Sequence, residues 1–180
     1  LKAYSLVLAS GSPRRQQFFK ALGLDFEIRL REIDELYPDH LVASEITDYL
    51  AELKGKAFDG ALAENEILIT SDTIVWHKNN ALGKPKDAEH ALKMLHDLSS
   101  STHQVITSVS FKTTQKVTTF HDCTEVTFGA LSEEMIQFYV DTYKPFDKAG
   151  SYGIQDWIGL VAVQSINGSY TNVMGLPTHL

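Results

Sequence analysis

The sequence predicts an α/β fold with a mixed β-sheet, on three observations. Leu6-Val7-Leu8 and Ile67-Leu68-Ile69 are short, unbroken apolar runs, the pattern of strands buried on both faces. Segments with apolar residues at helical spacing alternate with them. Val105–Phe111 and Val117–Phe128 alternate across the polar Thr113–Lys116, as an antiparallel pair does.

The elements follow in order. A strand at Leu6–Ala9 turns through Ser10-Gly11-Ser12 into a helix at Pro13–Leu22, with Ser12 as N-cap and Pro13 at the first helical position. A short strand at Phe26–Leu30 leads into Glu32-Ile33-Asp34-Glu35. Ile46, Tyr49, Leu50, Leu53 and Ala57 mark an amphipathic helix over Ser44–Phe58. Asp72 lies just past the Ile67–Ile69 strand. Asp87 caps a helix carrying Ala88, Ala91, Leu92, Leu95 and Leu98. Ser132 caps another, with Glu133 and Glu134 in its first turn and Leu131 and Ile136 at the staple positions. Asn167-Gly168 between Val161–Ile166 and Ser169–Val173 predicts a hairpin with a type I′ turn. The closing residues 175–180 read as the start of a trimmed element.

Composition narrows the function. In 180 residues, 23 Asp and Glu outnumber 16 Lys and Arg, for a net charge of −7, and no basic tract appears. That argues against a nucleic-acid or anionic-membrane surface. The single Cys123 permits no disulfide and suits a reducing, cytoplasmic setting. No apolar run is long enough to cross a membrane. The seven histidines include no zinc-type pair on one helix.

Five features could carry chemistry. Arg14 and Arg15 sit in the first turn of a helix, where a cation is disfavoured by roughly 0.3–1 kcal/mol. An anion docking on that turn would offset the cost, so the pair reads as a phosphate site. Without a Gly-Lys-Ser/Thr ending it is no P-loop. Asp72 at a strand end suits an acid/base group or a metal ligand, although alone it reads as an Asx-turn. Glu32, Asp34 and Glu35 could help hold a hard divalent cation, or form a solvated loop. Lys84, in the stiff Gly83-Lys84-Pro85 turn, and Lys54 could meet phosphate as point charges; Lys54 alone reads as part of a solvated face. The stretch 147–155, with Gly150, Gly153, Tyr152 and Gln155, reads as a binding loop or a distorted strand.

Together these pieces resemble the Maf family of nucleoside triphosphate pyrophosphatases, described as septum-formation inhibitors. The matching segments are Leu8-Ala-Ser-Gly-Ser-Pro-Arg-Arg15, Glu32-Ile-Asp-Glu35, Leu50-Ala-Glu-Leu-Lys54, Ser71-Asp-Thr73, Gly83-Lys-Pro85, Leu98-Ser99 before His103-Gln-Val-Ile-Thr107, residues 147–155, and Gly168 through Pro177. They keep the family's order along nearly the whole chain. Thr70-Ser71 stands where the family usually has Gly-Ala, and the family's C-terminal helix after Gly-Leu-Pro is largely missing.

The resemblance implies one elongated α/β domain over 1–180, with two lobes around a central cleft, like the inosine-triphosphate pyrophosphatases. It implies a hydrolase acting on acid anhydrides, cutting a nucleotide between the α and β phosphates with a divalent metal, Mg²⁺ or Mn²⁺. Asp72 becomes the proton acceptor. Glu35 and Asp72 hold the metal, with Asp34 a further candidate ligand. Lys54 and Lys84 join Asp72 and Glu35 in catalysis. Ser10, Ser12, Arg14, Arg15, Thr73 and Gln155 bind substrate. Arg14, Thr73 and Gln155 match the group acting on dTTP and UTP. The rival expectations are a pyrophosphatase for 7-methyl-GTP or another modified nucleotide, and a non-catalytic nucleotide-binding regulator of septum formation. A small-molecule nucleotide is the expected partner, without nucleic acid or membrane, and a homodimer is admitted.

Overall fold

The computed structural model describes residues 4–180. In chain order the elements are β1 (Ser5–Leu8), α1 (Pro13–Ala21), β2 (Phe26–Ile28), α2 (Ser44–Lys56), β3 (Glu66–His77), β4 (Asn80–Leu82), α3 (Ala88–Leu98), β5 (Thr102–Lys112), β6 (Val117–Phe128) and α4 (Glu133–Tyr143). A 3-10 turn (Ala149–Ser151), α5 (Trp157–Ala162), β7 (Val163–Asn167) and α6 (Tyr170–Val173) follow. Among the described residues the strands form one seven-stranded sheet in the order β2-β1-β3-β5-β6-β7, with β4 on β3. β1 pairs parallel with β2 and β3, while β4 and β7 pair antiparallel with β3 and β6. The mixed α/β fold is the one expected.

The described residues form two compact units. The first takes the chain up to Asp72, Thr107–Asp122 and Gly175–Leu180; the second takes Thr73–Ile106 and Cys123–Met174.

In the first unit the sheet is covered on both faces, as a parallel sheet requires. Leu6 and Leu8 point to one face, where Phe19 of α1, Ile69, Val109 and Leu176 gather. Val7 points to the other, against Phe58 and Leu68. This period of two explains the unbroken apolar runs. The Thr70 hydroxyl donates to the Ala51 carbonyl at 2.7 Å, tying α2 to β3.

The second unit has the larger core, including Ala91, Leu95 and Leu98 of α3, Ile136, Tyr139 and Val140 of α4, and Phe128, Tyr152 and Ile158. Asp87 and Ser132 cap α3 and α4 as expected, accepting from the His90 and Met135 N–H groups at 2.8 and 3.3 Å.

Three local expectations are corrected. Ser12 stands at the N-cap position, but its side chain makes no capping bond. Asp72 lies within β3, not past its end, because the strand continues with nearly uninterrupted burial to His77. The Asn167-Gly168 hairpin does not form: β7 pairs back onto β6, and residues after Ser169 are helical. Gly168 sits at φ 132°, and Ser169 caps α6 by accepting from the Asn172 N–H at 3.3 Å. Asn172, fully buried, donates to the Val105 carbonyl and the Thr124 hydroxyl at 3.0 and 2.9 Å. Those buried partners win over the turn preference of the dipeptide.

Candidate active site

Seven of the expected residues, Ser10, Ser12, Arg14, Arg15, Glu35, Lys54 and Asp72, lie in the first unit. β1 ends at Leu8, and the Ala9 N–H still donates to the Ile69 carbonyl at 2.9 Å. The chain then turns away through Ser10–Ser12 while β3 runs on, so Ser71 and Asp72 lie beyond the carboxyl end of β1, where open α/β sheets place ligands.

Asp72 is only 7% exposed. Its Oδ1 accepts from Lys54 Nζ at 2.6 Å, and the same ammonium lies 3.0 Å from Glu35 Oε1. The Lys54 side chain is 17% exposed, so it lies on no solvated face. α2 aims it across the sheet, and two carboxylates converge on its charge. An unpaired carboxylate at this depth would be expensive, and the ammonium is what makes it tolerable in mid-strand.

Arg15 has a second kind of role. Its Nε donates to the Gly175 carbonyl at 2.8 Å and its Nη1 to the Ser71 carbonyl at 3.0 Å. The first turn of α1, β3 and the 175–180 segment are thereby joined at one guanidinium. Desolvation lowers it to about 10; Asp72 and Glu35 act against that fall and Arg14 adds to it, so these charges sense one another. Ser10 Oγ accepts from the Ser12 N–H at 3.2 Å, which shapes the turn and uses one of its N–H groups.

Thr73, Lys84 and Gln155 belong to the second unit. Lys84 is exposed, and the Gly83 carbonyl beside it accepts from the Gly150 N–H at 3.1 Å, so the 83–85 turn and the 147–155 loop meet. Gly150 has φ +67°, and a Cβ there would meet Val75 at 2.7 Å. Gln155 is exposed, with its amide nitrogen 3.2 Å from Asp156 Oδ1. Tyr152, in the same loop, is buried and shares a hydrogen bond at 2.7 Å with His103 Nε2. Sequence reasoning passed over Asp156 and Tyr139, whose hydroxyl donates to Asp156 Oδ2 at 2.8 Å. The available signal was an acidic residue directly after Gln155.

Among the described residues no group of three or more His, Cys, Asp or Glu could hold a metal ion. Asp34 is exposed and joins no such group. Glu35 and Asp72 supply a pair of carboxylates converging on one cationic position, now Lys54 Nζ.

The sheet and this cluster define an α/β protein with a carboxylate–ammonium centre built on β3, just beyond the carboxyl end of β1. The profile of the Maf-like protein family matches residues 5–180, and the chain belongs to that family. It is 64% identical over 178 residues to a dTTP/UTP pyrophosphatase of Flavobacterium johnsoniae, covering 99% of this chain and 92% of that protein. A dTTP/UTP pyrophosphatase of Flavobacterium psychrophilum is 64% identical over 173 residues, covering 96% and 89%. The structure of the Staphylococcus aureus Ham1 protein matches with a TM-score of 0.43 and 18% identity over 69% of this chain and 71% of that one, too slight a likeness to carry an argument. Among the described residues no helix is long and apolar enough to cross a membrane.

Proposed function

We propose that this protein hydrolyses dTTP and UTP to the nucleoside monophosphate and pyrophosphate, with Asp72 as the proton acceptor. The observation that carries the reading is a carboxylate held almost out of water in β3 against the Lys54 ammonium. Water adds across the α–β anhydride, Asp72 takes its proton, and pyrophosphate leaves. No covalent intermediate is required. Lys54 balances the Asp72 charge, and Arg14, Arg15 and Lys84 supply positive charge for the triphosphate and for the charge that grows on the leaving group. Ser10 and Ser12 shape the turn that meets phosphate, while Thr73 and Gln155 serve base and sugar recognition.

Glu35 and Asp72 are the residues that would hold a divalent cation. Two converging carboxylates fit a hard ion such as Mg²⁺ whose remaining ligands are substrate phosphates and water, and do not fit an all-protein cage. When bound, such an ion neutralises phosphate charge and makes coordinated water more acidic.

The test is product analysis with dTTP, UTP, CTP, dATP, GTP and 7-methyl-GTP, in Mg²⁺ or Mn²⁺, beside Asp72→Asn. The expected result is pyrophosphate and monophosphate from dTTP and UTP, lost in the variant. Turnover of 7-methyl-GTP alone would move the base assignment. Nucleotide binding without turnover, surviving Asp72→Asn, would establish a regulator instead.

A further inference from the structure

Gln155 alone cannot distinguish uracil from cytosine. Uracil and thymine offer N3–H as donor and O4 as acceptor; cytosine offers the reverse, N3 as acceptor and its amino group as donor. A glutamine amide carries both a carbonyl and an NH₂, and a half-turn of its terminal bond exchanges them. Selectivity therefore needs something that stops the half-turn.

The second unit contains such a device. The chain of bonds begins at the Gly153 backbone N–H, which can only donate, and does so to the Tyr139 hydroxyl at 3.0 Å. The Tyr139 hydroxyl then donates to Asp156 Oδ2 at 2.8 Å. Asp156 Oδ1, an acceptor only, faces the Gln155 amide nitrogen at 3.2 Å. Turning the amide over would set its carbonyl against a carboxylate oxygen. Burial pushes the Tyr139 hydroxyl far above its ordinary range and Asp156 adds to the rise, so Tyr139 keeps its proton.

Three further facts mark the arrangement as built. Asp156 occupies the N-cap position of α5, where aspartate is a strong capping residue, yet its side chain caps nothing. Its remaining charged neighbour among the described residues, Lys148 Nζ, is 3.9 Å from Oδ2, whereas the Gln155 contact is at Oδ1. A Cβ on Gly153 would lie 2.6 Å from Asp156 Oδ2 and 2.7 Å from Gln155 Nε2, so this glycine leaves the room that both side chains use.

We propose that Asp156 is a positioning residue that locks the amide of Gln155 in the orientation that reads uracil and thymine and rejects cytosine. This rests on the reading of Gln155 as the residue that meets the base. With one N–H held by Asp156, the carbonyl is left to accept from N3–H and the second N–H to donate to O4.

Substitution makes the sign testable. In Asp156→Asn the Tyr139 proton still needs an acceptor, so the new amide keeps its oxygen on Tyr139 and turns its NH₂ toward Gln155. That favours the reversed Gln155 amide, the form complementary to cytosine. Asp156→Ala removes the lock without supplying a new one, and serves if the asparagine variant does not fold. The experiment measures kcat/KM for UTP and CTP in the wild type, both Asp156 variants and Gln155→Ala, with thermal unfolding to establish that each is folded. The expected result for Asp156→Asn is a UTP-to-CTP ratio lowered by roughly ten- to a hundredfold, with CTP turnover rising in absolute terms, and an intermediate ratio for Asp156→Ala. A gain with CTP is something mere structural damage does not produce. If Gln155→Ala collapses the ratio while both folded Asp156 variants keep the wild-type value, the lock is overturned and the base-reading role stands. If Gln155→Ala itself leaves the ratio unchanged, the underlying assignment of Gln155 fails.

Discussion

Lys54 Nζ stands 2.6 Å from Asp72 Oδ1, across from α2 to β3, and the two residues are 18 positions apart in the chain. Without Lys54, nearly buried Asp72 would lose its hydrogen-bonded cation and keep only the more distant charge of Arg15, and breaking such a pair costs more than forming it gains. Lys54→Met is therefore expected to lower unfolding stability by about 3 kcal/mol and kcat for UTP by about a hundredfold or more. Adding Asp72→Asn should restore much of the stability and none of the activity. Urea denaturation of the two singles and the double measures the coupling, and additive losses would show that the pair is not coupled.

How much of this was legible differs residue by residue. The caps at Asp87 and Ser132 are local chemistry, and the sequence states them fully. The bounds of α1 and α2 were legible within two residues, and the starts of α3 and α4 from their caps. Asp72 was recognisable as a charge near a buried strand, but the length of β3 was not, since what lets a carboxylate continue the strand is a lysine 18 residues earlier. The Asn167-Gly168 turn was misread for the same kind of reason. The partners that hold Asn172 come from β5 and β6, about 50 to 70 residues away, and no short-range rule contains them. The Asp156 lock depends on a tyrosine one helix away, which periodicity assigns to the core.

Arg15 spans two backbone carbonyls, at Gly175 and Ser71, with two different nitrogens. A lysine at this position keeps the charge but has one nitrogen for two acceptors. Arg15→Lys is expected to cost about 1–2 kcal/mol of stability, from the lost carbonyl contact, and to raise KM for UTP. Thermal unfolding and saturation kinetics separate the two effects. An unchanged melting temperature would mean that the guanidinium does not tie residues 175–180 to the sheet.

Two glycines should respond in opposite ways. A Cβ on Gly159 would lie 1.8 Å from the Ile154 carbonyl oxygen, a backbone atom with nowhere to retreat. Gly159→Ala should force α5 away from the 152–156 loop, at about 3 kcal/mol. Around Gly83 an added Cβ meets nothing within 4 Å. Gly83→Ala should leave stability unchanged or raise it by about 0.5 kcal/mol, through the unfolded chain. Parallel chemical denaturation of both variants checks the contrast.

His103 is buried beneath Phe128 and Tyr152, and desolvation, with a smaller push from His77, lowers it to about 3 from an ordinary 6.5. The folded protein thus holds this imidazole neutral while the unfolded chain protonates it. The sign follows directly. The contribution is complete above pH 6.5 and is lost as pH falls from 6.5 toward 3, at up to about 1.4 kcal/mol per pH unit. In His103→Gln, whose amide can still meet the Tyr152 hydroxyl, that slope is absent. The stability advantage of wild type over variant should therefore shrink by about 2 kcal/mol between pH 6.5 and pH 5. Carboxylates that titrate alike in both proteins cancel in the difference, which leaves the contribution of His103. A difference that stays constant over this range would show that the buried imidazole is protonated in the folded state, and that the Tyr152 hydroxyl beside it supports a cation instead of a neutral ring.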